Sequence, residues 1–78
     1  MKYIKTTTND FILFLPPITH IGMAKSLGFE IDFIESAGFV KIEDGQYKCF
    51  GQSDSLGIES GPDDSEELNC FAETCLRR

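Results

Sequence analysis

A chain of 78 residues is long enough for one domain, so we expect a single domain over residues 1–78. Hydrophobic residues make up 41% of the chain and include seven Phe, which excludes global disorder and allows a core without metal or disulfide support. The formal net charge of −6 argues against direct binding to nucleic acid or to an anionic membrane, because both need a cationic surface.

The cysteines and the N-terminus predict a cytoplasmic protein. Cys49, Cys70 and Cys75 are odd in number and have no C-x-x-C spacing, unlike the dense, even set of a small secreted scaffold. The first residues lack the apolar region of a signal peptide, and the apolar run 11–15 is too short to cross a bilayer.

The first elements are predicted to form a β-hairpin. Residues 2–6 are rich in β-formers, residues 11–15 are densely apolar, and the four residues between them have turn composition. The second strand is apolar on both faces, with Phe11, Leu13 and Leu15 on one and Ile12 and Phe14 on the other. It is therefore either a central strand covered on both faces or a strand with one face against a second subunit.

A short helix is predicted next. Pro16 and Pro17 end the strand, Thr19 is a suitable N-cap, and residues 20–27 form two helical turns closed by Gly28. One face of this helix carries the spacing i, i+3, i+4 and i+7, namely His20, Met23, Ala24 and Leu27.

Residues 31–43 alternate with period two and predict one long strand bent near Gly38, with two strands joined at Ala37-Gly38 as the competing interpretation. The pair Asp44-Gly45 is typical of a two-residue type I′ hairpin. That turn sets a register that pairs Ile42 with Tyr47 and Val40 with Cys49 on a core face. Lys41 then lies opposite Lys48 on a solvated face.

The last third is predicted to contain a short edge strand or ordered loop over residues 52–60, and then a helix that begins at Pro62. This helix has an amphipathic stripe of Leu68, Phe71, Ala72, Cys75 and Leu76. The fold class is therefore α+β, in the order β-β-α-β-β-α, with an antiparallel sheet of about four strands. We expect both helices on one face of the sheet.

Two groups of side chains are candidate binding residues. The only histidine and the serine-rich loop suit a small polar ligand: His20, Ser53, Asp54, Ser55 and Ser60. Local capping and serine turns use the same residue types and are the alternative explanation of the loop. No nucleophile lies at a recognisable spacing from the histidine, so we predict no catalytic residues and no cofactor.

Residues 54–67 contain six acids and no base. Four of these acids, Asp63, Asp64, Glu66 and Glu67, lie where they oppose the dipole of the last helix, and they are also candidates for contact with a basic partner. Their spacing does not match a Ca²⁺ loop, so no metal site is predicted.

Three short segments carry a resemblance: His20-x3-Ala24, Ser36-Ala37-Gly38-Phe39, and the string from Cys49 through Ser55-Leu56-Gly57-Ile58 to Asp64. Over residues 11–68 the chain resembles small bacterial proteins encoded by integron gene cassettes and other mobile elements. The resemblance implies a mobile-element origin and a small, often oligomeric accessory protein, and it carries over no catalytic residue.

The sequence thus favours a small non-enzymatic binding or interaction protein that forms a homodimer. The first alternative is an acidic inhibitor that imitates nucleic acid and blocks a basic protein. The second is a small enzyme that uses His20 with Ser53 or Ser55.

Overall fold

The computed structural model describes residues 1–76, and side chains through residue 74. Strands β1 (Lys2–Thr6) and β2 (Phe11–Phe14) precede helix α1 (His20–Ser26) and a 3₁₀ turn, Ile31–Phe33. Strands β3 (Ile34–Glu43) and β4 (Gln46–Phe50) follow, and then the short strands β5 (Gln52–Ser53) and β6 (Ile58–Glu59). Helix α2 (Asp64–Phe71) continues as a π-helical turn over Ala72–Leu76.

The four longer strands form one antiparallel sheet in the order β2-β1-β3-β4, and β5 pairs with β6 in a separate hairpin. The α+β class, the four-stranded antiparallel sheet and its two helices are confirmed. Residues 52–60, predicted as an edge strand or a loop, form this small hairpin between β4 and α2. Strand β2 is an edge strand, so of its two interpretations the central position is wrong. Phe11 and Phe14 are buried and Ile12 and Leu13 half-buried, so each face of the strand is partly covered. The other interpretation, one face against a second subunit, stays a prediction.

The helices, expected on one face, lie on opposite faces of the sheet. Ala24 of α1 packs with Ile4, whereas Leu68 of α2 packs with Tyr3. Because successive residues of a strand point to opposite faces, the neighbours Tyr3 and Ile4 belong to apolar clusters on opposite faces of the sheet. Strands apolar on both faces need cover on both sides, which two helices on one face do not provide.

The hairpin prediction at residues 44–45 is confirmed in its turn type and register, but the core face expected for Ile42 is wrong, because that side chain is 65% exposed. Asp44 and Gly45 have φ of 53° and 76°, the left-handed region that a type I′ turn requires. The pairs across β3 and β4 are those expected: Val40 with Cys49, Lys41 with Lys48, and Ile42 with Tyr47. Both lysines are exposed, so their repulsion is screened by water.

The irregularity of β3 lies at Glu35 rather than at Gly38. The pairing with β1 shifts register between Lys5 and Thr6, which leaves Glu35 as the extra residue. Gly38 has a different cause, because a Cβ there would lie 2.6 Å from the carbonyl oxygen of Phe50. The glycine permits close approach of the chain as it leaves β4.

Candidate functional site

A buried polar cluster joins α2 to the centre of the sheet. Asp64, a residue 2% exposed, lies at the start of α2. Its Oδ2 atom accepts hydrogen bonds from the Tyr3 hydroxyl, from Ser36 Oγ at 2.6 Å and from Gly61 N at 2.8 Å. Three donors on one carboxylate oxygen compensate for much of the cost of burying its charge. Asp64 therefore ties together β1, β3 and the turn that precedes α2.

Lys5 adds charge to this cluster. Its buried ammonium lies 2.5 Å from a carboxylate oxygen of Glu35, 2.7 Å from one of Glu67 and 3.9 Å from Oδ1 of Asp64. Burial alone would lower the pKa of Lys5, but hydrogen bonds to Glu35 and Glu67, together with their negative charges, outweigh burial and raise it. The ammonium stays charged at neutral pH and is not available as a base or nucleophile.

The phenol of Tyr3 is equally unsuited to proton transfer at neutral pH. Burial, followed by the hydrogen bond to Asp64 and the charge of that carboxylate, raises the pKa of Tyr3 well above its ordinary value. A cleft of about 330 Å³ opens beside the cluster and is lined by one cation, Lys5, and by five acids: Glu35, Glu59, Asp63, Asp64 and Glu67. The arrangement stabilises the docking of α2 and gives the cleft a negative potential.

His20 is held on the opposite face of the sheet. The ring is 3% exposed, its Nε2 lies 2.8 Å from the carbonyl oxygen of Gly38, and it packs edge-on against Phe14 and Phe39. Burial lowers the pKa of His20; the hydrogen bond to Gly38 opposes this effect and the charge of Lys2 adds to it. A neutral imidazole that donates to a backbone carbonyl anchors α1, and a substrate has no direct access to it.

The predicted serine site is only partly assembled. Ser53 and Ser55 lie with their Oγ atoms 3.5 Å apart, and Ser55 accepts a hydrogen bond from the backbone N–H of Ile21, the residue after His20. Ser53 caps the turn by accepting from Leu56 N, while Ser60 donates to the Gly51 carbonyl. Most of these hydroxyls make the local turn contacts that were the alternative explanation of the loop.

Asp54 completes the predicted ligand set but is turned to solvent. Its carboxylate accepts a hydrogen bond from Gln52 Nε2 at 3.0 Å, which is a contact within the loop. The structure therefore brings Ser55 to the first turn of α1, with Ser53 beside it, whereas Asp54 and Ser60 contact other parts of the loop.

The four acids predicted to contact a partner divide into two pairs. Asp63 and Glu66 are exposed. Asp64 is buried, and Glu67 is half-buried and paired with Lys5. The prediction that Asp64 presents its charge to a partner therefore requires correction, because that carboxylate is taken up by the buried cluster.

Two of the three cysteines have described side chains. Cys49 is half-buried, and burial, followed by the negative charge of Asp64, raises the pKa of its thiol to about 11. Cys70 is exposed. The side chains of Cys75 and Leu76, predicted on the apolar stripe of α2, lie outside the described part of the chain. The two terminal arginines also lie outside it.

The residues that sequence reasoning missed are Tyr3, Lys5 and Ser36. Period-two alternation places Tyr3 and Lys5 on the same face of β1. This alternation is the sequence pattern that indicates a lysine on the same face as a buried aromatic ring. Ser36 lies four residues before Val40 in β3, but its acceptor comes from a helix far along the chain.

The comparisons with known proteins add no relationship: no family model, curated protein or solved structure matches the chain. The resemblance to cassette-encoded proteins therefore stays a prediction. Within the described residues no group of three or more His, Cys, Asp or Glu side chains is arranged to hold a metal ion. None of the helices in residues 1–76 has the length and apolar character needed to cross a membrane.

Proposed function

We propose that this protein is a small, non-enzymatic, cytoplasmic interaction protein that functions as a homodimer. The observation that carries the proposal is an uncharged segment, residues 11–24, that presents apolar side chains to solvent. Leu15 is 64% exposed and Ile18 is 45% exposed, and Ile21 is exposed beside them in sequence. Exposed apolar residues clustered in an uncharged stretch are typical of protein contact surfaces.

The polar clusters support a binding role over a chemical one. At neutral pH Tyr3 is a neutral phenol, Lys5 is an ion-paired ammonium and His20 is enclosed by aromatic rings. Each of these groups is used to fix a helix on the sheet. What remains exposed is contact surface rather than reactive groups. Within that surface, the apolar segment 11–24 is the part whose removal from water favours association.

Sedimentation equilibrium at low to high micromolar concentration tests the proposal. A species of twice the 8.7 kDa chain mass, with a concentration-dependent dissociation, is the expected result. A chain that remains at 8.7 kDa across the whole range contradicts the homodimer.

A second candidate, an acidic inhibitor that imitates nucleic acid, is favoured by the exposed side of α2 and the turn that follows it. Asp63, Glu66 and Glu73 are exposed and follow one another at intervals close to helical turns. Such a row of carboxylates can occupy the phosphate-binding groove of a basic protein.

This alternative is tested by capture of proteins from a bacterial lysate with and without added duplex DNA. The mimic predicts a basic nucleic-acid-binding protein that duplex DNA displaces and that is lost in the variant Asp63→Lys/Glu66→Lys. A captured protein that survives both the DNA and the charge reversal contradicts it.

A further inference from the structure

The two edge strands of the sheet, β4 and β2, differ in how the rest of the chain contacts them. At the β4 edge, Asn69 of α2 accepts from Tyr47 N at 3.0 Å and donates to Tyr47 O at 3.0 Å. Ser65 Oγ accepts from Cys49 N at 2.8 Å. The outward-facing backbone groups of this strand are thus occupied by side chains of the same protein, which closes the edge to another strand.

The β2 edge has no such cover. The bond from Thr6 N to Asp10 O at 2.9 Å sets the alternation of the antiparallel ladder, so Phe11 and Leu13 direct their N–H and C=O groups away from β1. Among the described side chains, through residue 74, and the described backbone, no hydrogen bond reaches these groups. The neighbouring Leu15 carbonyl is already used, since it accepts from Ile18 N at 3.3 Å.

Strand β2 also lacks the devices by which edge strands avoid pairing. It carries no charge, its register with β1 is continuous from Phe11 to Phe14, and the prolines come only after Leu15. Ile12 and Leu13 are half-buried on opposite faces, so each leaves part of an apolar surface at the edge. A strand added there continues both apolar layers.

We propose that two copies of this chain dimerise by antiparallel pairing of β2 with β2 about a two-fold axis, which joins their four-stranded sheets into one. This proposal rests on the homodimer proposed above and names its interface. The segment 11–24 has no charged residue, so two chains of net charge −6 meet there without like charges in contact.

Charge complementarity favours a second copy as the occupant of this edge. Asp10 lies at one end of β2, and Lys2 is paired with Phe14 at the other end. Antiparallel self-pairing brings each end of one β2 alongside the opposite end of its partner. Asp10 of each copy therefore approaches the lysine-bearing end of the other, twice in the dimer by symmetry.

A matched pair of lysine substitutions locates the interface. Leu15 and Ile42 are 64% and 65% exposed, but Leu15 extends β2 whereas Ile42 lies near the β4 edge. We expect Leu15→Lys to weaken dimerisation by at least about tenfold, because it places a charge at the joined edge. Ile42→Lys should leave the dissociation constant unchanged. The reverse pattern, or equal effects, overturns the β2 interface.

A second pair of variants tests the pairing itself. Asp10→Lys and Lys2→Glu should each weaken the dimer, and the double variant should restore it, because opposite charges face each other again. Two single variants with wild-type affinity overturn the proposed antiparallel arrangement.

The outcomes separate this inference from the homodimer proposal. If the wild-type chain is monomeric, and a strand of another protein pairs with β2 instead, both proposals are overturned. A dimer that persists in Leu15→Lys and in both single charge variants overturns only the assignment to β2.

Discussion

The two faces of the sheet fix their helices by different chemistry. On one face α1, with seven residues, is anchored by an uncharged His20 that makes one hydrogen bond to a backbone carbonyl among aromatic rings. On the other face α2, with eight residues, is anchored by charges, in the cluster of Asp64, Lys5 and Tyr3. Helices this short are not stable alone, so the anchor determines whether each one forms.

This difference gives the two faces opposite sensitivities to pH. The α1 face is weakened at low pH, when the buried, neutral His20 must accept a proton. The α2 face is weakened at high pH, when the buried Tyr3 and Lys5 must lose their protons. A sheet with one anchor of each kind should be most stable near neutral pH. Removing either anchor tests this difference between the two faces.

The largest effect is expected from Asp64→Ala. It removes the acceptor shared by Tyr3, Ser36 and Gly61 and leaves buried donors without a partner. Leaving a buried hydrogen-bond donor without an acceptor costs about 1–3 kcal/mol, and several donors lose theirs here, so the loss is a large part of the stability of a small domain. Urea unfolding monitored by circular dichroism should show this loss in the free energy of unfolding.

The adjacent residue provides the control. Asp63 is exposed and makes no side-chain cap bond at the start of α2, so Asp63→Ala should change the free energy of unfolding by no more than about 0.5 kcal/mol. Similar losses in the two variants would mean that the acids act through the helix dipole and that the buried cluster contributes little.

Sequence reasoning anticipated the parts of this molecule that are determined locally. The hairpin at Asp44-Gly45 and the helix between Thr19 and Gly28 were found because the turn and capping residues are neighbours in sequence. The pairing of Val40 with Cys49 followed directly from the turn type.

The Asp64 cluster could not be found in this way, because its members meet only after the strand order is set. Tyr3 and Asp64 are 61 positions apart, and their contact requires β1 to lie inside the sheet with α2 crossing its face. The acid run was therefore interpreted as surface charge, since composition does not distinguish a buried carboxylate from its exposed neighbours. Both helices were expected on one face for the same reason, because the face on which each helix packs depends on the strand order.

On the α2 face, the second prediction concerns alkaline pH. The pKa values of Tyr3 and Lys5 are raised, and that of Cys49 is raised from 9.0 to about 11. These groups contribute stability that is fully present below their unfolded pKa values and is lost as pH rises above them. We expect the free energy of unfolding to fall from about pH 9 upward.

Ionisation of the phenol can be followed directly by its ultraviolet absorbance. In the variant Tyr47→Phe, Tyr3 is the only tyrosine, and its phenolate should form together with unfolding rather than before it. A normal tyrosine titration in a chain that remains folded would contradict the buried hydrogen bond to Asp64.

The third prediction concerns acid and the α1 face. The pKa of His20 is lowered from 6.5, so its neutral form stabilises the fold above that pH and the contribution is lost as pH falls below it. Replacement by a side chain that donates to the Gly38 carbonyl without titrating, His20→Gln, should make the loss of stability between about pH 7 and pH 5 smaller than in the wild type.

The other ionisable groups are the same in both chains, so the comparison with the wild type subtracts their contribution. Thermal unfolding at a series of pH values gives the two slopes. Identical slopes would show that His20 titrates normally and that its enclosure by Phe14 and Phe39 has no electrostatic consequence.

The smallest effect is expected at the contact between the serine loop and α1. Ser55→Ala removes the exposed hydrogen bond from Ile21 N and the long contact with Ser53 Oγ, and should lower the free energy of unfolding by less than about 1 kcal/mol. Thr19→Ala, which removes the side-chain cap on Gly22 N of the same helical turn, should cost about 1 kcal/mol and provides the scale. Because Ser55 was also predicted to bind a small polar ligand, the result discriminates between two roles. A loss comparable to that of Thr19→Ala assigns the hydroxyl to helix capping, whereas an unchanged stability leaves Ser55 free to serve a ligand.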